Sequence, residues 1–279
     1  MKTMKTAVLA AAMAGLCAGA AVAQGLPQKY KDSGKVVVAH HPIYPPVDYK
    51  DADTSELKGI AIDLAKALAK ELDVKIEWSD IVFAQMIPAL VTGRADLVHT
   101  GMSDLESRRD SAQFLDYMRS GAQIYTSSGK ADVFKTLEDL CGKTVGASRT
   151  TSFPAEVSAW SAQNCEAKGK PAIKISGAES SADARVQLKQ GRIDAVAQGF
   201  ETIPYMMQLE KGAYVLIGQP VSSYYQGIVF AKTGTELMQA YAGAFKAILN
   251  NGVYKQIMTS YGLESMMLDG VYINSKRVD

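Results

Sequence analysis

An alternation of short apolar strands and amphipathic helices occurs twice along this 279-residue chain and constrains its fold more than any other feature. One series covers residues 35–100 and the other residues 144–209. Such alternation is typical of a parallel sheet with covering helices. Segment 93–98 (GRADLV) is echoed by segment 191–196 (GRIDAV), and each leads from a helix end into a strand. The chain is therefore predicted to be an α/β protein with two similarly built lobes.

Three C-terminal segments follow this pattern. Residues 235–249 and 253–261 have the periodicity of amphipathic helices. Their apolar faces need a surface to cover, and we expect the first lobe to supply it. Residues 271–279 are predicted to be a polar tail.

The first 23 residues have the three parts of a secretion signal. Lys2 and Lys5 form a basic start, residues 7–20 an apolar run, and residues 21–23 (AVA) a small-x-small cleavage site. The apolar run is short for a membrane span. We expect cleavage after Ala23 and export of the remaining chain to the periplasm.

The charge balance excludes one class of partner. The full chain has 30 Lys and Arg against 29 Asp and Glu, so removing the two lysines of the signal leaves 28 against 29. Nucleic-acid-binding domains are usually clearly basic, and we therefore expect no nucleic-acid partner. With 47% hydrophobic residues, the chain can bury a substantial core.

The cysteines and histidines bear on disulfides and metals. Cys141 and Cys165 remain after the signal, and in an oxidising compartment such a pair indicates a disulfide. A metal site is the alternative use for His40, His41 and His99, which all fall near predicted strand ends. Adjacent strand residues point to opposite faces, however, and no carboxylate spacing accompanies them. We expect no metal ion and no other cofactor.

Residues 101–114 (GMSDLESRRDSAQF) contain the strongest candidate for a ligand-binding group. They follow a strand end, where ligands bind in α/β sheets. A guanidinium there, from Arg108 or Arg109, could hold a carboxylate through two parallel hydrogen bonds. Small residues such as Thr100 and Ser103 would let the ligand approach the backbone. In isolation, an arginine pair in a helix is more often part of a solvated face.

Short motifs along the chain after residue 23 occur in an order that resembles a known family. They are residues 44–46 (YPP), 59–65 (GIAIDLA), 87–90 (IPAL), 101–103 (GMS) with Arg108 and Phe114, 139–146 (DLCGKTVG), 169–173 (GKPAI), 191–196 (GRIDAV) and 252–254 (GVY). This ordered set resembles the polar amino-acid-binding proteins of bacterial ABC importers, solute-binding family 3. The contexts of the two cysteines resemble a subgroup in which they pair within the second lobe.

The resemblance implies a type II periplasmic binding protein, with two Rossmann-like lobes joined by two hinge strands in a Venus-flytrap arrangement. Lobe 1 would comprise residues 24–124 and 226–279, and lobe 2 residues 125–225, with hinge strands near 123–126 and 223–227. A ligand stabilises the closed state only by touching both lobes. The closed form would be recognised by membrane ABC permease subunits, and we expect a monomer.

The resemblance also implies the ligand contacts. They are the carboxylate clamp Arg108, the small polar neighbours Ser103 and Thr100, the lobe 2 threonine Thr151, the aromatic walls Tyr44 and Phe83, and His41 as a reader of the ligand's side chain. Thr151 or Ser152 is predicted to cap a helix, and a helix N-terminus there favours an anion independently of the family.

Three departures from the family pattern change the expected ligand. Leu105 stands in place of a threonine, Thr150 in place of a glycine, and Gly199 in place of the aspartate that pairs with an α-ammonium group. A buried ammonium without a partner is costly, so the site predicts weak binding of α-amino acids. Glu201 is a candidate substitute, although two residues along it should point elsewhere; alternatively, the alignment is off by a residue or two. On this basis Gly199→Asp should raise amino-acid affinity.

These observations favour a binding protein that captures a small carboxylate-bearing ligand: an amino acid, an amino-acid derivative or a related organic acid. The alternative is a periplasmic enzyme on the same fold, similar to cyclohexadienyl dehydratase. An enzyme needs a general acid or base near its ligand, and only His41 and Glu201 are candidates, so we expect no catalysis. A binding subunit for a sensor or oxidation pathway is a third hypothesis.

Overall fold

The structure is a computed structural model that describes residues 25–279. The expected signal peptide and its cleavage site lie outside the described residues. Within residues 25–279, no helix has the length and apolar character needed to cross a membrane.

The described chain alternates between strands and helices, as the sequence predicts. The strands are β1 (Lys35–His40), β2 (Ile43–Tyr44), β3 (Asp48–Lys50), β4 (Leu57–Lys58), β5 (Lys75–Asp80), β6 (Leu97–Val98), β7 (Ala112–Ser120), β8 (Ala122–Ser127), β9 (Thr144–Ser148), β10 (Lys174–Ala178), β11 (Ala195–Gly199), β12 (Tyr214–Ile217), β13 (Tyr224–Ala231), β14 (Tyr272–Ile273) and β15 (Lys276–Arg277). The α-helices are α1 (Gln28–Ser33), α2 (Ile60–Glu71), α3 (Met86–Val91), α4 (Glu106–Arg109), α5 (Phe153–Asn164), α6 (Ser181–Lys189), α7 (Ile203–Leu209), α8 (Thr235–Asn250) and α9 (Val253–Ser260).

Two sheets built on the same plan confirm the predicted α/β fold with two lobes. The larger has the order β15-β14-β7-β13-β6-β1-β5, and the smaller the order β10-β9-β11-β8-β12. In each, a central strand (β1 or β9) has parallel neighbours on both sides. An antiparallel strand (β13 or β8) follows next in each sheet. A separate three-stranded sheet has the order β2-β3-β4.

Helices α2, α8 and α9 form the main core of lobe 1. Leu64 and Leu68 of α2 are fully buried, whereas Lys66 and Lys70 are exposed, as the helical spacing predicts. Helices α8 and α9 pack against α2, so they cover the first lobe as expected. Burial of each leucine contributes about 2 kcal/mol to folding.

The chain crosses between the two sheets at Gly121 and again between β12 and β13. Ser120 still pairs with Tyr224 in the larger sheet, whereas Ala122 already pairs with the smaller sheet. A side chain at Gly121 would collide with the carbonyl oxygen of Ser222, so glycine allows the two crossings to pack closely. We therefore propose lobe boundaries at these crossings, which places residues 122–124 in lobe 2 rather than lobe 1 and residues 224–225 in lobe 1 rather than lobe 2.

The segments that differ from their predicted structure include β7 and the C-terminal residues. Strand β7 was not predicted. Eight of its nine residues are buried, so its sequence lacks the alternation of polar and apolar residues that indicates a strand. Residues 271–279 form the hairpin β14–β15 beside β7 rather than a tail. Asn274 and Ser275 at its tip both have positive φ, as a two-residue type I′ turn requires.

Cys141 and Cys165 form a disulfide, which confirms the predicted pair. The bond joins the segment before β9 to the C-terminal end of α5, and Cys165 lies in the lobe 2 core. Because it closes a loop of 24 residues, it restricts the unfolded chain.

We predict that Cys141→Ser/Cys165→Ser lowers the free energy of unfolding by about 3 kcal/mol, because the unfolded chain regains its loop entropy. Urea denaturation followed by circular dichroism measures this loss, and the wild type under a thiol reductant should show a similar one. An unchanged midpoint in both would contradict the prediction.

Candidate ligand-binding site

A cleft of about 310 Å³ lies between the two lobes and gathers most of the predicted binding residues. Those that line it are His41, Tyr44, Phe83, Thr100, Ser103 and Arg108 from lobe 1 and Thr151 from lobe 2. They meet because the segments after β1, β5, β6 and β9 leave the carboxyl ends of their strands, where α/β sheets bind ligands. Gly199 is the one predicted residue that does not line the cleft.

Arg108 supplies the positive charge of the cleft. Its Nη1 donates to the carbonyl oxygen of Ser103 at 2.9 Å, and its guanidinium carbon lies 5.6 Å from the centre of the Phe83 ring. Burial lowers the pKa of Arg108, but the ordinary value is so high that the group stays charged at neutral pH. No carboxylate in residues 25–279 pairs with this guanidinium, which leaves N–H donors for a ligand.

A buried polar cluster holds the recognition loop (residues 100–108) in place. Arg109 donates two parallel hydrogen bonds to Asp104, at 2.7 and 2.8 Å. Ser275, at the tip of the β14–β15 hairpin, donates its hydroxyl to Asp104 at 2.7 Å and its N–H to Asp116 at 2.9 Å. Burial and the neighbouring Asp104 raise the pKa of Asp116 well above its ordinary value. The C-terminal hairpin therefore supports the loop that carries the predicted binding groups.

Lobe 2 presents the N-terminus of α5 to the cleft. Ser152 occupies the N-cap position, and the Thr151 hydroxyl donates to the carbonyl oxygen of Ser148 at 2.7 Å. The side chains of Ser103 and Ser152 meet across the lobes with their hydroxyl oxygens 3.4 Å apart. The first N–H groups of a helix favour an anion, so the two lobes offer complementary anion-binding groups.

Glu201 occupies the space beside Gly199. Its fully buried carboxylate accepts hydrogen bonds from Tyr44 (2.7 Å), Ser120 (2.5 Å) and Gln226 (2.7 Å). Burial raises the pKa of Glu201, and these hydrogen bonds oppose that rise. A side chain at position 199 would collide with this carboxylate and with the Tyr44 hydroxyl. The expectation that Glu201 points elsewhere is therefore wrong, and the steric conflict removes the basis for a gain from Gly199→Asp.

The three histidines occupy separate environments. His41 lines the cleft with its Nδ1 2.9 Å from Asp80, and buried His40 has its Nδ1 3.1 Å from Asp48. His99 is buried without a hydrogen-bond partner among the described residues, and burial lowers its pKa to about 3. Within residues 25–279, no three metal-ligating side chains come together.

Several lobe 2 residues of the cleft were not among the predicted contacts. Thr150, Phe153, Ser180 and Ser181 all line it. Ser180 follows β10 and caps α6 by accepting a hydrogen bond from the Asp183 N–H. The sequence signal for these contacts is the pair Ser180 and Ser181 between a strand and a helix. They follow β10 as Thr151 follows β9, at a strand end where ligands bind.

Two α/β lobes, two crossings and an interlobe cleft define a type II periplasmic binding protein. The profile of the family "Bacterial extracellular solute-binding proteins, family 3" matches residues 36–264, and the chain belongs to this family.

Relatives and solved structures extend this similarity. The arginine-binding protein ArgT of Corynebacterium glutamicum is 27% identical over 251 residues, which cover 90% of this chain and 82% of ArgT. An ancestral arginine-binding protein bound to arginine is 31% identical, with a TM-score of 0.72, over 82% of this chain and 98% of that one. The ancestral amino acid-binding protein AncCDT-1, a precursor of cyclohexadienyl dehydratase, is 29% identical, with a TM-score of 0.71, over 84% and 97%.

We predict that Asp116→Asn makes stability less dependent on pH. Because its pKa is raised in the native state, Asp116 holds a proton there between about pH 4 and the raised value, whereas the unfolded chain does not. The wild type therefore loses up to about 1.4 kcal/mol of unfolding free energy per pH unit in this window.

Urea denaturation at pH 5 and pH 8 tests this, with the exposed Asp132→Asn as the control. The stability of Asp116→Asn relative to the wild type should rise between the two pH values. A relative stability that is constant, or that falls, would exclude the protonated carboxyl.

Proposed function

We propose that this chain is the periplasmic substrate-binding component of an ABC importer. It captures a small carboxylate-bearing ligand, namely an amino acid, an amino-acid derivative or a related organic acid, by closure of its two lobes. The main support for this proposal is the Arg108 guanidinium, which lines the cleft and has no carboxylate partner among residues 25–279.

The arrangement of the lobes supports capture by closure. A carboxylate held by Arg108 in lobe 1 lies opposite the N-terminus of α5 in lobe 2. Such a ligand contacts both lobes only when they are close together, and these additional contacts stabilise the closed state. Phe83 and Phe153, one from each lobe, provide apolar surface for the ligand's carbon skeleton.

The relatives support the class of ligand and the pathway. ArgT and the ancestral protein are named for binding arginine, which carries an α-carboxylate. A relative of this chain in Escherichia coli is named ABC transporter arginine-binding protein 1. Together with the sequence expectation of a cleaved signal, this supports periplasmic capture and delivery to permease subunits in the membrane.

The site offers little for catalysis. His41 contacts Asp80 at the cleft edge, and Glu201 is buried behind Tyr44 and does not line the cleft. General acid–base catalysis needs a group within hydrogen-bond reach of the ligand. We therefore propose a binding protein rather than an enzyme.

We predict that Arg108→Ala lowers affinity for the best carboxylate ligand by about 2–5 kcal/mol, because the bound carboxylate loses its charged partner. Arg108→Lys should recover only part of this, since an ammonium cannot form the two parallel hydrogen bonds.

The best ligand comes from a thermal-shift screen of L-amino acids and organic acids, and isothermal titration calorimetry then measures its affinity. Arg94→Ala, an exposed arginine of lobe 1 outside the cleft, is the matched control. Near-normal binding by Arg108→Ala would remove Arg108 from the site.

A further inference from the structure

We propose that the ligand of this cleft carries a carboxylate but no ammonium group on the adjacent carbon. This inference rests on the proposed function and narrows its ligand to keto acids, hydroxy acids and unsubstituted acids. The observation behind it is the position of the Glu201 carboxylate, which lies against Gly199 and accepts a hydrogen bond from the Tyr44 hydroxyl.

The carboxylate of Glu201, beside Gly199, is set back from the cleft. The Glu201 oxygens occupy the position that the first side-chain carbon of residue 199 would take. An acidic side chain attached at that residue would carry its oxygens two bonds further out. Glu201 has no exposed surface and does not line the cleft. A ligand held by Arg108 therefore meets no carboxylate at this point.

The oxygens of Glu201 are also occupied. Tyr44 and Gln226 donate to Oε1, and Ser120 donates to Oε2, so three neutral donors of the chain already surround the charge. An incoming ammonium would have to displace the Tyr44 hydroxyl. The Tyr44 ring packs closely over Gly101, where an added methyl group would lie 2.8 Å from it, and this contact helps to hold the hydroxyl in place.

The other carboxylates near the cleft do not replace Glu201. Glu179 lines the cleft but is exposed, and it is paired with Arg149 at 2.9 Å. Glu156 of α5 lies outside the cleft lining, and one of its oxygens accepts a hydrogen bond from Ser222 at the second crossing. Its other oxygen is buried without a partner among the described residues. Glu156 acts electrostatically on Arg108 without lining the cleft. Among the described residues that line the cleft, Arg108 is therefore the one guanidinium, and the one carboxylate, Glu179, is already paired.

Charge complementarity then selects the ligand. A carboxylate satisfies Arg108, whereas an ammonium on the next carbon would lose its water without gaining an anionic partner. Keto and hydroxy groups in that position need only neutral hydrogen-bond partners. The hydroxyls of Thr100, Ser103, Thr151 and Ser152 supply these partners at the cleft wall.

The first experiment compares matched ligand pairs on the mature wild-type protein by thermal shift and calorimetry. Suitable pairs are L-glutamate with 2-oxoglutarate, L-leucine with 4-methyl-2-oxopentanoate, and L-phenylalanine with phenylpyruvate. We expect the deaminated member of the best pair to bind at least tenfold more tightly. Tighter binding of the amino acid would overturn the proposal.

Two variants test the role of the Tyr44 hydroxyl. Tyr44→Phe removes one donor from Glu201, so the affinity ratio of the pair should shift toward the amino acid by tenfold or more. Adding Glu201→Gln to Tyr44→Phe should abolish that shift. The control is Tyr49→Phe, which alters another lobe 1 tyrosine that contacts lobe 2, through Tyr205, and should leave the ratio unchanged.

The outcomes separate this inference from the proposed function. If binding depends on Arg108 but favours amino acids, only the inference is overturned. Loss of amino-acid binding in Glu201→Gln or Glu156→Gln would then identify the acid that holds the ammonium. If no carboxylate binds, or if binding is indifferent to Arg108→Ala, the proposed function fails and the inference fails with it.

Discussion

The buried carboxylate of Glu201 is the interaction on which the relation between the lobes depends most. It belongs to lobe 2 and accepts hydrogen bonds from Tyr44 of lobe 1 and from Ser120 and Gln226 in the strands next to the crossings. A carboxylate removed from water is costly unless donors surround it. Ser120 and Gln226 lie next to the crossings, whereas Tyr44 reaches Glu201 from lobe 1. In the proposed opening of the lobes, we therefore expect the Tyr44 contact to break first. We infer that this network favours the proposed closed arrangement of the lobes.

Arg108 of the recognition loop and its neighbour Arg109 have opposite roles. Arg109 is neutralised by Asp104 inside lobe 1, and this pair, with Ser275, fixes the loop. Arg108 has no such partner among the described residues and faces the cleft. The Arg109–Asp104 pair holds the backbone that carries Arg108. A guanidinium gains specificity for an anion only when its backbone is held in position. The C-terminal hairpin thus stabilises the loop of the proposed binding site from outside the cleft.

The two-lobe fold and much of the cleft could be predicted because their signals are local. Helical spacing in α2, the repeated GR-x-D segments and the small polar residues after β6 and β9 each report on their own segment. Strand β7 could not be predicted from the sequence, because a strand buried on both faces lacks the alternation of polar and apolar residues. The hairpin at residues 272–277 was missed because its place in the sheet depends on pairing with β7, a distant segment.

Glu201 could not be placed from the sequence for a different reason. Spacing along the chain predicts only which side of an element a residue faces, and the 3₁₀ turn Phe200–Thr202 directs Glu201 back over the preceding strand. The absent side chain at Gly199 is what makes room for it. The two positions therefore form one structural unit, in which a glycine and a displaced carboxylate depend on each other. In this unit the acid binds to the protein's own hydroxyl and amide donors, and the cleft in front of it is left with the positive charge of Arg108.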